Sequence, residues 1–165
     1  MSTQALFQPL RVGRCTLAHR VVMAPLTRMR ATVPGHCANE LNAQYYGQRA
    51  SAGGLIIAEA SQVMPGGGGA TTPGIHTAEQ VQGWKGIVDA IHARGGVVYL
   101  QLWHMGRISH SSNQPGGVPP IAPSAIAATG MTMTAKFTRE PFETPRALRT
   151  DEIPQVIEAY AQAAR

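Results

Sequence analysis

Three short apolar runs, "VVMAPL" at 21–26, "LIIAEA" at 55–60 and "VVYLQLW" at 97–103, are separated by stretches that each have room for one helix. This alternation is the strongest constraint on the fold. Apolar runs of this length suit strands buried on both faces, and strands that alternate with helices run parallel, because each helix returns the chain to the same end of the sheet. Two α/β architectures satisfy the pattern: an open doubly wound sheet, or part of a (β/α)8 barrel. A doubly wound nucleotide-binding domain needs a glycine fingerprint directly after its first strand. Here "LTRMRATVPG" follows that strand, and the glycines at 66–69 follow the second strand without the required spacing. The barrel is therefore favoured. A whole barrel takes ~250 residues, so residues 1–165 are expected to form its N-terminal half, with about three strand–helix units and the C-terminal half outside this chain.

The elements between the strands follow from local signals. Residues 6–20 read as a hairpin around Gly13. A helix is expected over 39–52, with Asn39 as cap, Leu41 and Tyr45 on one face and Gly53-Gly54 as its stop. A second begins at Thr77, with Gln80 at capping-box spacing and Val81, Trp84, Val88 and Ile91 along one face, and ends at Gly95-Gly96. Residues 104–149 read as an irregular insertion with a short hairpin around 130–139, expected to cap the barrel rim. A last helix starts at Thr150 or Asp151, with Pro154 in its first turn and Ile153, Val156, Ile157 and Tyr160 on its apolar face.

Composition narrows the function classes. The net charge of +5 comes from scattered lysines and arginines, with no basic run interleaved with aromatics and no zinc-finger or P-loop spacing, so nothing calls for a nucleic-acid partner. Cys15 and Cys37 are too few for a disulfide scaffold, and their spacing makes no metal site. The opening "MSTQALFQPLRVGR" has no long apolar run, so neither a signal peptide nor a membrane anchor is expected, and a cytoplasmic location is the default.

Chemistry gathers where each strand ends. The first runs into Ala24, Pro25, Leu26, Thr27 and Arg28, the second into Glu59, Ala60, Ser61 and Gln62, and the third into Gln101, Trp103, His104 and Arg107. Parallel barrels place their active sites at that C-terminal rim. Gln101 offers an acceptor and a donor side by side, a match for an imide or pyrimidine edge. Trp103, two residues on, shares its side of the strand and supplies a flat apolar wall. Thr27 carries a hydroxyl that can donate to a ring carbonyl, and the small Ala60 allows backbone to approach a planar ligand. Each of these alone reads as readily as a cap, a turn or a core residue. His104 borders a ligand or bonds a loop; Arg28 and Arg107 tune the site or form rim salt bridges; Glu59, which faces away from Ala60, and Trp84 read as structural.

The segments "RVVMAPLTRMRA", "GLIIAEAS", "PGIHTAEQVQGWKGIVDAIHARGG", "VYLQLWHMGR" and "FTREPFETPRALRTDEIP" resemble, in order, the N-terminal half of the Old Yellow Enzyme family, and most of all its bacterial N-ethylmaleimide and pentaerythritol-tetranitrate reductases. The resemblance implies an FMN-dependent ene-reductase on a (β/α)8 TIM barrel, in which NADPH or NADH reduces the flavin and hydride passes to activated alkenes such as unsaturated carbonyls, nitroalkenes and maleimides. It implies that Ala24, Pro25 and Leu26 pack on the flavin ring, that Thr27 bonds its C4 carbonyl and tunes it, that Ala60 contacts the ring through its backbone, that Gln101 binds the pyrimidine edge, and that Trp103 lines the substrate pocket. The family's substrate-binding histidine pair, tyrosine proton donor and phosphate-binding arginines would follow the last helix, so activity is expected only with a complementary C-terminal half or through self-association. The alternative is a non-catalytic binding or assembly module derived from a half barrel. In the loop "MPGGGGATTPG" four glycines stand where many relatives carry an aromatic residue, so a roomier or more mobile pocket mouth is expected.

Overall fold

The computed structural model describes residues 3–165. A 3-10 turn over Thr3–Phe7 leads into an antiparallel hairpin, β1 (Leu10–Val12) and β2 (Cys15–Leu17), which turns at Gly13. Gly13 has φ +56°, a left-handed conformation that glycine adopts without steric cost. The hairpin sits against the N-terminal ends of the sheet strands. Leu17 is buried, the Ala18 N–H donates to the Gly53 carbonyl at 2.9 Å, and the Cys15 Sγ lies 3.7 Å from the Tyr99 hydroxyl.

The central sheet is β3 (Val22–Met23), β4 (Leu55–Gln62) and β5 (Val97–Trp103), all parallel, with β4 in the middle. Helices α1 (Glu40–Gly47) and α2 (Ala78–His92) cover one face. Tyr46, Ile56, Ala58, Trp84, Ile87 and Ile91 are buried together there, with Met23, Val98 and Leu100 packed against them. The fixed alternation of strand side chains explains the set: even-numbered residues of β5, and of β4 as far as Ala58, meet the helices, and Tyr99 and Gln101 point away. α1 and α2 approach closely at Gly47, where a Cβ would lie 3.7 Å from the Cβ of Ala90. Both helices start in capping boxes, Asn39 with Asn42 and Thr77 with Gln80.

The structure amends four of the element boundaries and faces. β3 spans two residues instead of six, and Val22 and Leu26 are exposed, because this strand pairs on one side only and leaves the ladder after Met23. α1 ends at Gly47, well before Gly53, and its buried pair is Asn42 and Tyr46 while Leu41 is exposed. Asn42 can be buried because its amide bonds Glu59 and its carbonyl accepts the Asn39 N–H. On α2 the buried stripe is Gln80, Trp84, Ile87 and Ile91; Val81 is exposed. Gln80 goes inside because its side chain is consumed by the His76 and Thr77 N–H groups and the Gly35 carbonyl.

Residues 104–149 form short 3-10 turns, a two-residue parallel pair β6 (Ile121–Ala122) with β9 (Arg146–Ala147), and an antiparallel hairpin β7 (Met131–Met133) with β8 (Arg139–Pro141). The expected hairpin is thus present. The last helix, α3 (Ile153–Ala163), follows a 3-10 turn at Thr150–Glu152 and carries Pro154 in its first turn. Its apolar face is not closed over: Ile153 and Ile157 are exposed. No helix among the described residues is long and apolar enough to cross a membrane.

Candidate functional site

The rim at the C-terminal ends of the strands is organised by an irregularity in β4. Ala58 pairs with Leu100 and Ser61 with Leu102, so Glu59 and Ala60 together oppose Gln101. Two residues against one is a β-bulge, a feature common at barrel rims and beside active sites. Its effect on side-chain direction is specific. Ala58 packs in the helix-side core, and Glu59 also meets a helix, through Asn42 and Tyr46 of α1. Alternation then resumes with Ala60 on the opposite face, beside Gln101. Unbulged, Ala60 would point at the helices as Ile56 and Ala58 do.

Glu59 ties the rim to α1. It is fully buried, and its carboxylate accepts from the N–H groups of Arg28 at 2.9 Å and Met29 at 3.4 Å, the amide of Asn42 at 3.4 Å and the hydroxyl of Tyr46 at 3.3 Å. The Tyr46 oxygen in turn accepts the Glu59 N–H at 2.8 Å. Burial, and then the neighbouring Glu59 carboxylate, hold the Tyr46 phenol far above its ordinary range, so it stays a proton donor to Glu59. Met29 has φ 54°, a left-handed conformation that costs a residue with a Cβ ~1–2 kcal/mol. The pair of N–H bonds to Glu59 helps to hold it there.

The residues expected to carry the site assemble on this frame. Ala24, Leu26 and Thr27 are exposed and Pro25 half-buried, along the segment that runs from β3 to the Glu59 contact. Ala60 is buried at the bulge, Gln101 opposes it with its side chain exposed, and Trp103 is half-buried and pairs with Gln62. Among the described residues, neither Arg28 nor Arg107 is in a salt bridge. The Arg28 guanidinium stacks over the Tyr45 ring at 4.9 Å, and Arg107 donates to the Ile126 carbonyl at 2.7 Å and the Ser124 hydroxyl at 2.9 Å, fastening the insertion to the end of β5. His104 bonds a loop: its Nδ1 accepts the Gly106 N–H at 3.0 Å, which leaves the proton of the neutral ring on Nε2. Burial lowers its pKa and keeps the ring neutral.

The glycine loop departs from the expected looseness. Gly66 to Gly69 are buried. A Cβ on Gly66 would lie 2.3 Å from the Gln114 side chain, and one on Gly68 2.3 Å from the Thr72 hydroxyl. The Gly67 carbonyl accepts from the Met105 N–H, and the Gly66 carbonyl from the Gln114 amide, both at 2.8 Å. At Gly66, Gly67 and Gly68 neighbours fill the space a side chain would take, whereas a Cβ on Gly69 would meet only ordinary contacts, the nearest at 3.7 Å. Next to the loop, a cleft of about 410 Å³ is lined by Gly66 and Gly69 with His36, His76 and Gln114. The His76 pKa is lowered by burial and then by His36. Sequence reading missed Glu59 as an organiser of the rim, although an acid inside "LIIAEAS" was the available signal.

Comparison with known proteins shows the family. The profile of the NADH:flavin oxidoreductase / NADH oxidase family matches residues 5–165. 12-oxophytodienoate reductase 1 of Oryza sativa subsp. japonica is 45% identical over 161 residues, which is 97% of this chain and 40% of that protein. Morphinone reductase, solved in complex with tetrahydroNAD, superposes with a TM-score of 0.88 at 51% identity, over 97% of this chain and 45% of its own. The old yellow enzyme homologue from Zymomonas mobilis gives 0.90 at 46% identity, over 97% and 44%. The chain therefore spans less than half the length of the relatives it matches.

Proposed function

Given that the chain belongs to the NADH:flavin oxidoreductase / NADH oxidase family, we propose that it contributes the N-terminal half of an FMN-dependent, NAD(P)H-linked ene-reductase that reduces activated carbon–carbon double bonds. The observation that carries this reading is the rim itself: Ala60 turned by the bulge onto the same face as Gln101, and the N–H of Arg28, the residue after Thr27, bonded to Glu59 in that bulge. That set fits a flavin ring. Gln101 presents donor and acceptor together, as an imide edge requires. Thr27 presents a hydroxyl for a ring carbonyl, where a hydrogen bond stabilises the charge that builds on reduction. Ala60 lets backbone approach the plane, Ala24, Pro25 and Leu26 supply apolar contact, and Trp103 walls the substrate side. Bound FMN would supply the hydride chemistry, and the protein binding, orientation and electrostatics.

In this reading residues 104–149 cap the rim, and the groups that grip the phosphate and donate the proton lie in further strands beyond these residues, continuous with the chain or on a complementary one. A cytoplasmic site of action belongs to the same proposal, in keeping with two free cysteines.

The test is optical. The complete protein should be yellow and should bleach with NADPH or NADH in the absence of oxygen, and Gln101→Ala should weaken FMN retention about tenfold, the value of one good hydrogen-bonded pairing. A colourless protein that neither binds FMN nor bleaches would support a non-catalytic assembly module instead.

A further inference from the structure

We propose that Glu59 is the positioning residue of this rim: its buried carboxylate fixes the backbone at Arg28 and Met29 and so sets where Thr27 stands relative to Ala60 and Gln101. The inference deepens the flavin reading and rests on it for the consequence, but not for the geometry.

Three observations carry it. First, the segment after β3 leaves the sheet at Met23, so the ladder no longer dictates its path, and its next hydrogen-bonded anchor to the body of the protein is the pair of N–H bonds from Arg28 and Met29 to one Glu59 oxygen. Second, the other Glu59 oxygen is held from α1 by Asn42 and Tyr46, and the Tyr46 hydroxyl also receives the Glu59 N–H. The side chain is thus clamped at both oxygens, and a clamped acceptor transmits position. Third, Glu59 sits in the bulge, covalently next to Ala60 and across from Gln101. One residue therefore links all three rim segments. Packing alone does not call for an acid here. Well-packed apolar residues commonly serve as well as or better than buried charges for stability, so a buried carboxylate with four donors is suited to a geometric task.

The experiment uses the complete protein with Glu59→Leu, which keeps bulk without an acceptor, and Glu59→Gln, which keeps one oxygen for the two N–H groups. Amide exchange is read in the segment 24–30 and in α2, and FMN affinity by fluorescence quenching. In Glu59→Leu, exchange at Arg28 and Met29 should rise at least about tenfold while α2 keeps its wild-type rate, FMN should bind about tenfold more weakly, and Glu59→Gln should bring both back to within about threefold. Unchanged exchange at Arg28 and Met29 overturns the proposal, as does an equal rise in α2, which would mark Glu59 as a support of the whole fold. Should the leucine variant not fold, Glu59→Asp, whose oxygens sit one carbon shorter, takes its place: faster exchange confined to Arg28 and Met29 supports the proposal, and unchanged or global exchange overturns it. Failure of the flavin reading has its own signature, wild-type protein that takes up no FMN, and the exchange pattern then decides Glu59's role independently.

Discussion

The two faces of the central sheet are made by the same strands and differ in kind. On the helix side, Ile56 and Ala58 of β4 meet Tyr46, Trp84, Ile87 and Ile91, and all six are 0–5% exposed. On the other side, Val22 and Tyr99 are 41% and 48% exposed, and Gln101 stands open. An apolar run in the sequence announces a strand but not how many of its faces are finished. The closed face supplies rigidity, and the open face is where the rim residues present themselves.

The largest effect should come from breaking the closed face. Ile87→Ala should cost about 2–5 kcal/mol in urea unfolding, as buried truncations do, and Tyr99→Ala about 1 kcal/mol or less. A Tyr99 value as large as that of Ile87 would mean that further chain closes the open face in the working protein. A sharper contrast lies within α2. A Cβ on Gly83 would lie 2.4 Å from the Ala38 carbonyl oxygen, whereas one on Gly86 meets nothing within 4 Å. Gly83→Ala should therefore destabilise by about 1–3 kcal/mol and Gly86→Ala stabilise by up to about 1 kcal/mol, both read from thermal midpoints. Equal effects would mean that α2 does not press on Ala38.

The smallest effect concerns pH at the loops beyond the rim. His104 and His76 have pKa values held below the ordinary 6.5, His104 by burial and His76 by burial and then His36. The folded state thus takes up these protons less readily than the unfolded one. Their contribution to stability is complete above the unfolded value and is lost as pH falls below it through the folded values. Thermal midpoints followed from about pH 8 to about pH 5 should drop on the acid side, and His104→Gln should flatten part of that drop. An unaltered profile in the variant would remove His104 from the account.

What could be read in the sequence was what is local. The Thr77–Gln80 capping box, the Gly13 turn and the hairpin at Met131–Pro141 are each decided within a few residues, and each stands as expected. The burial of Asn42 and Gln80 was not legible, because a polar residue goes inside only when its partners are waiting there, and those lie at Glu59 and Gly35, 17 and 45 residues away. The glycine loop misled for the same reason: a glycine records that no side chain fits but not that Gln114, Thr72 and His104 fill the room. The rim candidates come from strand ends and resemblance; of the frame beneath them, Glu59 shows locally as an acid inside an apolar run, while the bulge is written in pairing and leaves no local mark.

That bulge has an arithmetic consequence. Along β4, even-numbered positions belong to the helix side up to Ala58, and odd-numbered positions from Glu59 onward. The strand changes parity once, and every residue downstream is counted in the new frame. Deleting either Glu59 or Ala60 would close the bulge and leave one residue opposite Gln101, so Ser61 and Gln62 would keep both their faces and their partners Leu102 and Trp103. Across homologous chains, a one-residue shortening of this strand should therefore fall at the bulge, where the pairing on both sides survives it.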